Sequence, residues 1–465
     1  MRKDSRVDLL TGNMYKTIVK LGYPMALSAL IHMLYNLADA FWLGKLGRTA
    51  LAAPVISFNI IFFILSLGLG FSVAGTSLVS QYMGANDRDK ASKAAGNMLT
   101  YMMIFSAFFV AVALPFAKQF LTMLKTPADA FGQTLDYYRI MVMGIPLAFP
   151  FFVYQSSMNG YGDTKSPLKI QIFSASLNVI LDPLMIFGWL GMPAMGVKGA
   201  ATATIFARGL ASCWGLYHFF SGRKGLRLSA RHLRPDRTLG RLMFKIGIPS
   251  AVGMSGTSLG LMVLIGIVNM FGTAVVSAYG IANRVIHLFM MPAMGISSAV
   301  TAIVGQNLGA GYIERAKSSV IKGLQMAAVL ITPAVVVVAL SGSAITYIFI
   351  PGDAQVQQLG NTMFLILSLS VLFFAFSSII VAAFQGSGHT VPVMVTNLSR
   401  VWIFRIPIVY GLAIFVLGGP QNLDASVGIW WGMTASNFCS FLMIFIWYLR
   451  GTWTVARIKG KAAQE

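Results

Sequence analysis

About twelve long apolar stretches, each able to supply the roughly 20 residues that a helix needs to cross the hydrocarbon core of a bilayer, follow one another along this chain. They lie near residues 15–43, 50–80, 94–124, 133–158, 167–189, 197–220, 243–270, 275–306, 318–350, 357–383, 393–417 and 426–450. The fold class expected is therefore all-α integral membrane. The 56% hydrophobic and 11% charged residues fit that solvent, as does the mean hydropathy of +0.72. A net charge of +21 would suggest nucleic acid in a soluble protein. Here the basic residues sort by side instead, and no nucleic-acid partner is expected. Arg223, Lys224, Arg227, Arg231, Arg234, Arg237 and Arg241 fill the link after the sixth span, Arg88, Lys90 and Lys93 follow the second, and Arg457, Lys459 and Lys461 end the chain. The opposite connectors carry few basic residues (Lys45, Arg48, Lys118, Lys125, Lys198) and include Asp353 and Asp424. The positive-inside rule then puts both termini in the cytoplasm of a multi-pass protein of the plasma (inner) membrane. The polar start and long first apolar segment do not read as a cleavable signal. Cys213 and Cys439 lie within spans, giving neither a disulfide framework nor metal spacing.

The second half repeats the first. LGYPMAL (21–27) to QYMGANDRDKA (81–91) recurs as IGIPSAV (246–252) to QNLGAGYIERA (306–316), pairing Pro24 with Pro249 and Gln81 with Gln306, 225 residues apart (306 − 81). GYGDT (160–164) matches GSGHT (386–390) at a shift of 226 (386 − 160). With six spans per half, both halves enter the membrane in one orientation. This is the parallel repeat of transporters whose halves rock against one another. The expected organisation is two pseudo-symmetric six-helix bundles: a first lobe over 1–220 carrying the cation site, a basic, solvated cytoplasmic linker over 221–242, and a second lobe over 243–465.

Two carboxylates stand deep in apolar segments, Asp39 in YNLADAFWLG and Asp182 in LNVILDPLMIFG. An acid at mid-bilayer costs about 2.5–3.5 kcal/mol on insertion scales, so such a residue is a functional-site hypothesis by default. At the repeat shift Asp39 faces Leu264, and the region of LDP becomes Arg405-Ile406-Pro407, so only the first lobe keeps acids within its spans. Both acids fall late in outward-running spans and share one membrane level. Asn36, Tyr35 and His32 precede Asp39 by three, four and seven residues, and Asn178 precedes Asp182 by four, which stacks them on the same helix faces. Tyr137 and Thr204 can reach that level from spans four and six. Asp39, Asn178, Asp182 and Thr204 together can hold a shared proton or a small hard cation, because two adjacent acids do not readily both ionise in a low dielectric.

Each of these residues also has a structural explanation. Asp39 could be an end residue paired with Lys45, and Asp182 could cap a helix restarting at Pro183. Pro24, matched by Pro249, could be a shared scaffold kink as readily as a hinge. His32 could titrate or only pack. Arg284 and Arg405 read as buried cations of the second lobe.

These segments resemble the multidrug and toxic compound extrusion (MATE) transporters, from IVKLGYPMALSALIHMLYNLADAFWLGKLG through LNVILDPLMIFG and GVKGAATATIFARG to AYGIANRVIHLFMMPAMGISSAVTAIVGQNLGAG. The DinF-like branch, with coupling acids in the N-terminal lobe, is the most similar. The resemblance implies a cation site of Asp39, Asn178, Asp182 and Thr204, with sodium as the possible metal there, and Tyr137 lining the cavity with Tyr35 and Asn36. His32 and Gln155 take the places of a Gln and an Asn of that branch, and the hydrogen-bond network departs from its pattern accordingly. Arg284 is a further candidate for the cavity, and Pro24 for a helix hinge.

The function expected is secondary active export of amphipathic drugs or metabolites by alternating access, in antiport with protons or, alternatively, sodium. The protein is expected to be no enzyme, to need no cofactor, to contact membrane lipid and to act as a monomer. No GxxxxGK[ST] motif is present to bind ATP. A lipid-linked precursor flippase is the main rival, although it would call for a more cationic cavity. An integral-membrane enzyme or receptor fits the tandem repeat less well.

Overall fold

A computed structural model describes residues 6–458. The basic terminal residues Lys459 and Lys461 and the polar start over 1–5 lie outside the described residues. Every regular element among the described residues is helical.

In the first repeat these are α1 (Met14–Leu46), α2 (Arg48–Gly84), α3 (Arg88–Ala113), α4 (Ala117–Met123), α5 (Ala128–Met143), α6 (Ile145–Tyr161), α7 (Lys165–Phe187) and α8 (Val197–Ser221). The short α9 (Ala230–Leu233) follows. In the second repeat they are α10 (Arg237–Asn269), α11 (Thr273–Gly309), α12 (Ile313–Leu340), α13 (Gly342–Phe349), α14 (Ala354–Ser387), α15 (Thr390–Leu398), α16 (Ile406–Tyr410) and α17 (Val427–Leu449). Among the described residues ten helical segments are long and apolar enough to cross a membrane, or eleven if α5 and α6, bent by 49°, count as one span. The 25-residue α8 is not among them.

The repeat is written into the backbone. α2 and α11 are both 37 residues long and begin 225 residues apart (273 − 48). Each is preceded by a glycine in the left-handed region, Gly47 at φ 118° and Gly272 at φ 85°, where a side chain would be strained. The repeats diverge where proline does. Pro146 sits at the start of α6 and coincides with the 49° bend, because proline lacks the amide hydrogen that would carry a helix through. Its counterpart α14 contains no proline and runs unbroken for 34 residues.

The chain forms two compact units. One is built on Leu27–Ala251, the other on Leu9–Ala26 together with the described chain from Val252 to residue 458. The division therefore cuts α1 two residues after Pro24 and α10 two residues after Pro249. Inside the second unit the first turns of α1 lie close against α11: a methyl group at Gly295 would come 2.8 Å from Ala26 Cβ and 2.6 Å from the Gly22 carbonyl oxygen. Inside the first, the first turns of α10 lie as close to α2, where a methyl at Gly70 would come 2.6 Å from Ala251 Cβ.

The link between repeats is more ordered than a solvated loop. Its arginines 223, 227, 231, 234 and 237 are exposed, as their charge requires, but Leu226, Leu228 and His232 are buried. Asn97 of α3 binds the strap from three sides, donating to the carbonyls of His232 (3.1 Å) and Arg234 (3.2 Å) and accepting from the Asp236 amide (2.6 Å). Lys93 pairs with Asp236 at 2.5 Å and Arg231 with Asp89 at 2.5 Å.

In the second unit an apolar core gathers around Trp430, stacked on Tyr279 at 5.9 Å between ring centroids. Leu264, the repeat partner of Asp39, is fully buried within it.

A buried polar cluster between α1, α7 and α8

The first unit brings together the acids and most of their predicted neighbours. α1 supplies Tyr35 and Asp39 from one face, α7 supplies Asn178 and Asp182 one turn apart, and α8 supplies Thr204. Asp182 and Asn178 have no exposed surface, Thr204 is buried, and Asp39 keeps 9%. Asn178 Nδ2 donates to Asp182 Oδ1 (3.1 Å) and to Thr204 Oγ1 (3.4 Å), and the Tyr35 hydroxyl donates to the same Thr204 oxygen (3.0 Å). Three acceptor oxygens, Asp39 Oδ1, Asp182 Oδ2 and Asn178 Oδ1, are buried without a hydrogen-bond partner. The two carboxyls are close enough to act on each other electrostatically. Tyr137, buried on α5, is within electrostatic reach of both.

Packing fixes this geometry. α7 runs unbroken through Pro183, so Asp182 lies inside a helix and does not cap a new one. Where α1 and α7 end, Trp42 packs on Phe187 at 6.2 Å and on Trp189 at 5.9 Å. The Lys45 ammonium sits over the rings of Phe41 (4.6 Å) and Trp42 (4.8 Å), which leaves the paired-end explanation of Asp39 without support.

Other candidates fall elsewhere. His32 is exposed and bonds Asn36 one turn on, Nδ1 to Nδ2 at 3.1 Å. Gln155 bonds Gln171 (3.3 Å), which itself donates to the Ser28 carbonyl (2.9 Å), so this pair ties α6 and α7 to α1. Pro24 lies in the part of α1 that belongs to the second unit. Arg284, read from sequence as buried, is exposed, as are His287 and Leu288 one turn along α11. Arg405 is buried, as expected, and bonded to Ser436 Oγ (3.0 Å) and Asn437 Oδ1 (2.6 Å).

Sequence reasoning missed Arg208, whose guanidinium stands 5.6 Å from the Tyr35 ring centre and acts electrostatically on Asp39. The available signal was its spacing, one turn after Thr204 on α8. Among the described residues no group of three or more His, Cys, Asp or Glu could hold a metal ion.

The MatE family model matches residues 24–184 and again 249–410. The two matches begin 225 residues apart (249 − 24), the shift of the internal repeat. Over 430 residues the chain is 26% identical to the probable multidrug resistance protein YoeA of Bacillus subtilis, covering 91% of each chain. It is 25% identical to the probable multidrug resistance protein NorM of Thermotoga maritima, covering 94% of this chain and 93% of that one. A solved MATE family transporter in an outward-facing conformation has the same fold, with a TM-score of 0.87 at 24% identity over 98% of this chain and 99% of that one. With the repeated match spanning most of its length, this multi-pass membrane protein belongs to the MATE family of multidrug efflux transporters, and it is not an enzyme.

Proposed function

We propose that the chain is a secondary active exporter of amphipathic organic compounds, coupled to protons through Asp39 and Asp182. A first lobe over 1–220 holds the ion, a second over 243–465 completes the transport path, the strap over 221–242 joins them, and both termini face the cytoplasm. Alternating access exposes the compound to one side of the membrane at a time. The observation that carries the coupling reading is the set of three buried, unpartnered oxygens on Asp39, Asp182 and Asn178.

A proton shared between the two carboxyls would satisfy two of these oxygens, Asp39 Oδ1 and Asp182 Oδ2, and would relieve the cost of holding two adjacent acids ionised in a low dielectric. Sodium, a hard cation, needs a fuller oxygen shell. Thr204 is a poor fourth ligand, because its oxygen already accepts from Tyr35 and Asn178. The residues fit sodium less well than a proton, and only Asp39, Asn178 and Asp182 would offer it free oxygens.

The test is export from reconstituted vesicles with each gradient imposed alone. Export driven by a proton gradient without sodium is expected. Export that follows sodium at equal pH, and ignores a proton gradient when sodium is absent, would replace the proton with sodium.

A further inference from the structure

The second unit carries positive charge within its spans, Arg405 buried and Arg400 half-buried, with no negative charge to match it. From residue 252 to residue 458 the chain has three acids, Glu314, Asp353 and Asp424, all outside the middle of the spans. Glu314 is paired with Lys317 (2.8 Å) and Asp353 caps the start of α14 through the Val356 amide (3.0 Å). Arg400 and Arg405 both lie in the π-helical stretch Ser399–Arg405, between α15 and α16. Such wide turns occur often at functional sites. Arg405 donates to uncharged acceptors, Ser436 and an Asn437 that is itself held by Ser370 Oγ (2.8 Å), and its charge stays unpaired among the described residues. The Arg400 guanidinium lies 4.8 Å from the Phe374 ring centre and within electrostatic reach of Arg405. Its Nε is buried with no acceptor. Two hydroxyls nearby in sequence are also buried and unpartnered: Thr396 Oγ1, one turn before Arg400, and Ser377 Oγ, one turn after Phe374.

A cation inside a membrane protein is costly unless it is paired, and it ordinarily marks a substrate or ion path. Two guanidiniums that repel each other raise that cost. A carboxylate, sulfonate or phosphate meets the planar N–H edge of arginine in a bidentate fit, while Phe374 covers the guanidinium face. We infer that Arg400, backed by Arg405, binds the anionic group of the exported compound, so that the substrates are amphipathic organic anions. This names the substrate class within the proposed export function and rests on that reading.

Two xanthene dyes separate the possibilities: fluorescein, an anion, and rhodamine 6G, a cation with a similar ring skeleton. Binding is read by fluorescence anisotropy on the full chain in uncharged maltoside micelles. The expected result is that the wild type binds fluorescein more tightly by about tenfold or more, the range of a hydrogen bond to a charged group. Arg400→Gln should abolish that preference without weakening rhodamine 6G binding, and Arg400→Lys should restore part of it. A wild type that binds both dyes alike overturns the inference without any variant, and so does an Arg400→Gln chain that loses both equally. Loss of fluorescein on adding phosphatidylglycerol at the same molar concentration would assign the arginine to a lipid headgroup, and loss with inorganic phosphate would assign it to that ion; either overturns a substrate role. Proton-driven efflux of fluorescein from vesicles is a separate readout. Its failure would count against the export reading and leave the binding comparison standing.

Discussion

Asn178 and Asp182 stand one turn apart on α7, and the amide of the first donates to one oxygen of the second at 3.1 Å, leaving the other oxygen buried and free. While Asp182 is ionised the amide has only one orientation that serves. Turned over, it would set its oxygen against the carboxylate.

If Asp39 and Asp182 act as one proton carrier, Asp39→Asn and Asp182→Asn should each nearly abolish gradient-driven efflux. Folding should survive, because the amide is isosteric and removes the cost of inserting an acid. The double variant should be little worse than either single one, since residues acting as a unit are not additive. Vesicle efflux showing two partial losses that add would separate the sites.

Thr204→Val keeps the shape of the side chain and removes the oxygen that Tyr35 and Asn178 share. With a proton as the coupling ion, this variant and Asn178→Leu should shift the pH optimum of efflux and leave substantial transport. A severalfold rise in the sodium concentration for half-maximal efflux, with both acids intact, would show a directly bound metal.

Asn97→Ala should loosen the strap, because three backbone groups lose their partner at once. A loss of about 2 kcal/mol is expected from stranded polar groups of this kind, read as a lower midpoint of thermal unfolding. Limited proteolysis should show new cleavage after the arginines over 223–237 and little change elsewhere.

Asp236 makes the strap sensitive to acid. The Lys93 ammonium bonded to it, helped by the Leu239 amide, holds its carboxyl below the ordinary value of 3.8. A carboxyl lowered on folding contributes stability above its unfolded value, and that contribution disappears as pH falls through the folded one. Protease sensitivity of the strap should thus be flat from neutral pH to about 4 and rise below it. Asp236→Asn should remove the rise; an unchanged acid limb would place the effect in another group.

What the sequence made legible depended on distance along the chain. The repeat, the spans and the grouping of Asp39 with Asn178, Asp182 and Thr204 follow from offsets and helical spacing, which are local or periodic. Contacts set by tertiary packing were not accessible in this way. Arg208 approaches Tyr35 only through the packing of α8 against α1, and Asn97 reaches a strap more than 130 residues later. Arg284 sits in an apolar run but on an exposed face, because hydropathy reports the solvent of a segment and not the direction of one side chain. At the repeat shift Leu264 takes the place of Asp39. It is a core residue, so a polar group placed there would cost packing before it could inform on coupling.

The close approaches of Ala26 to Gly295 and of Ala251 to Gly70 are one contact made twice, related by the 225-residue shift (295 − 70 and 251 − 26). In each, the first helix of one repeat supplies the ridge and the second helix of the other supplies the groove. A chain of half this length would carry both ridge and groove, and would be complementary to a second copy of itself. The pairing has the isologous form of a twofold homodimer, so the fused molecule preserves an interface that two separate, identical subunits could have made.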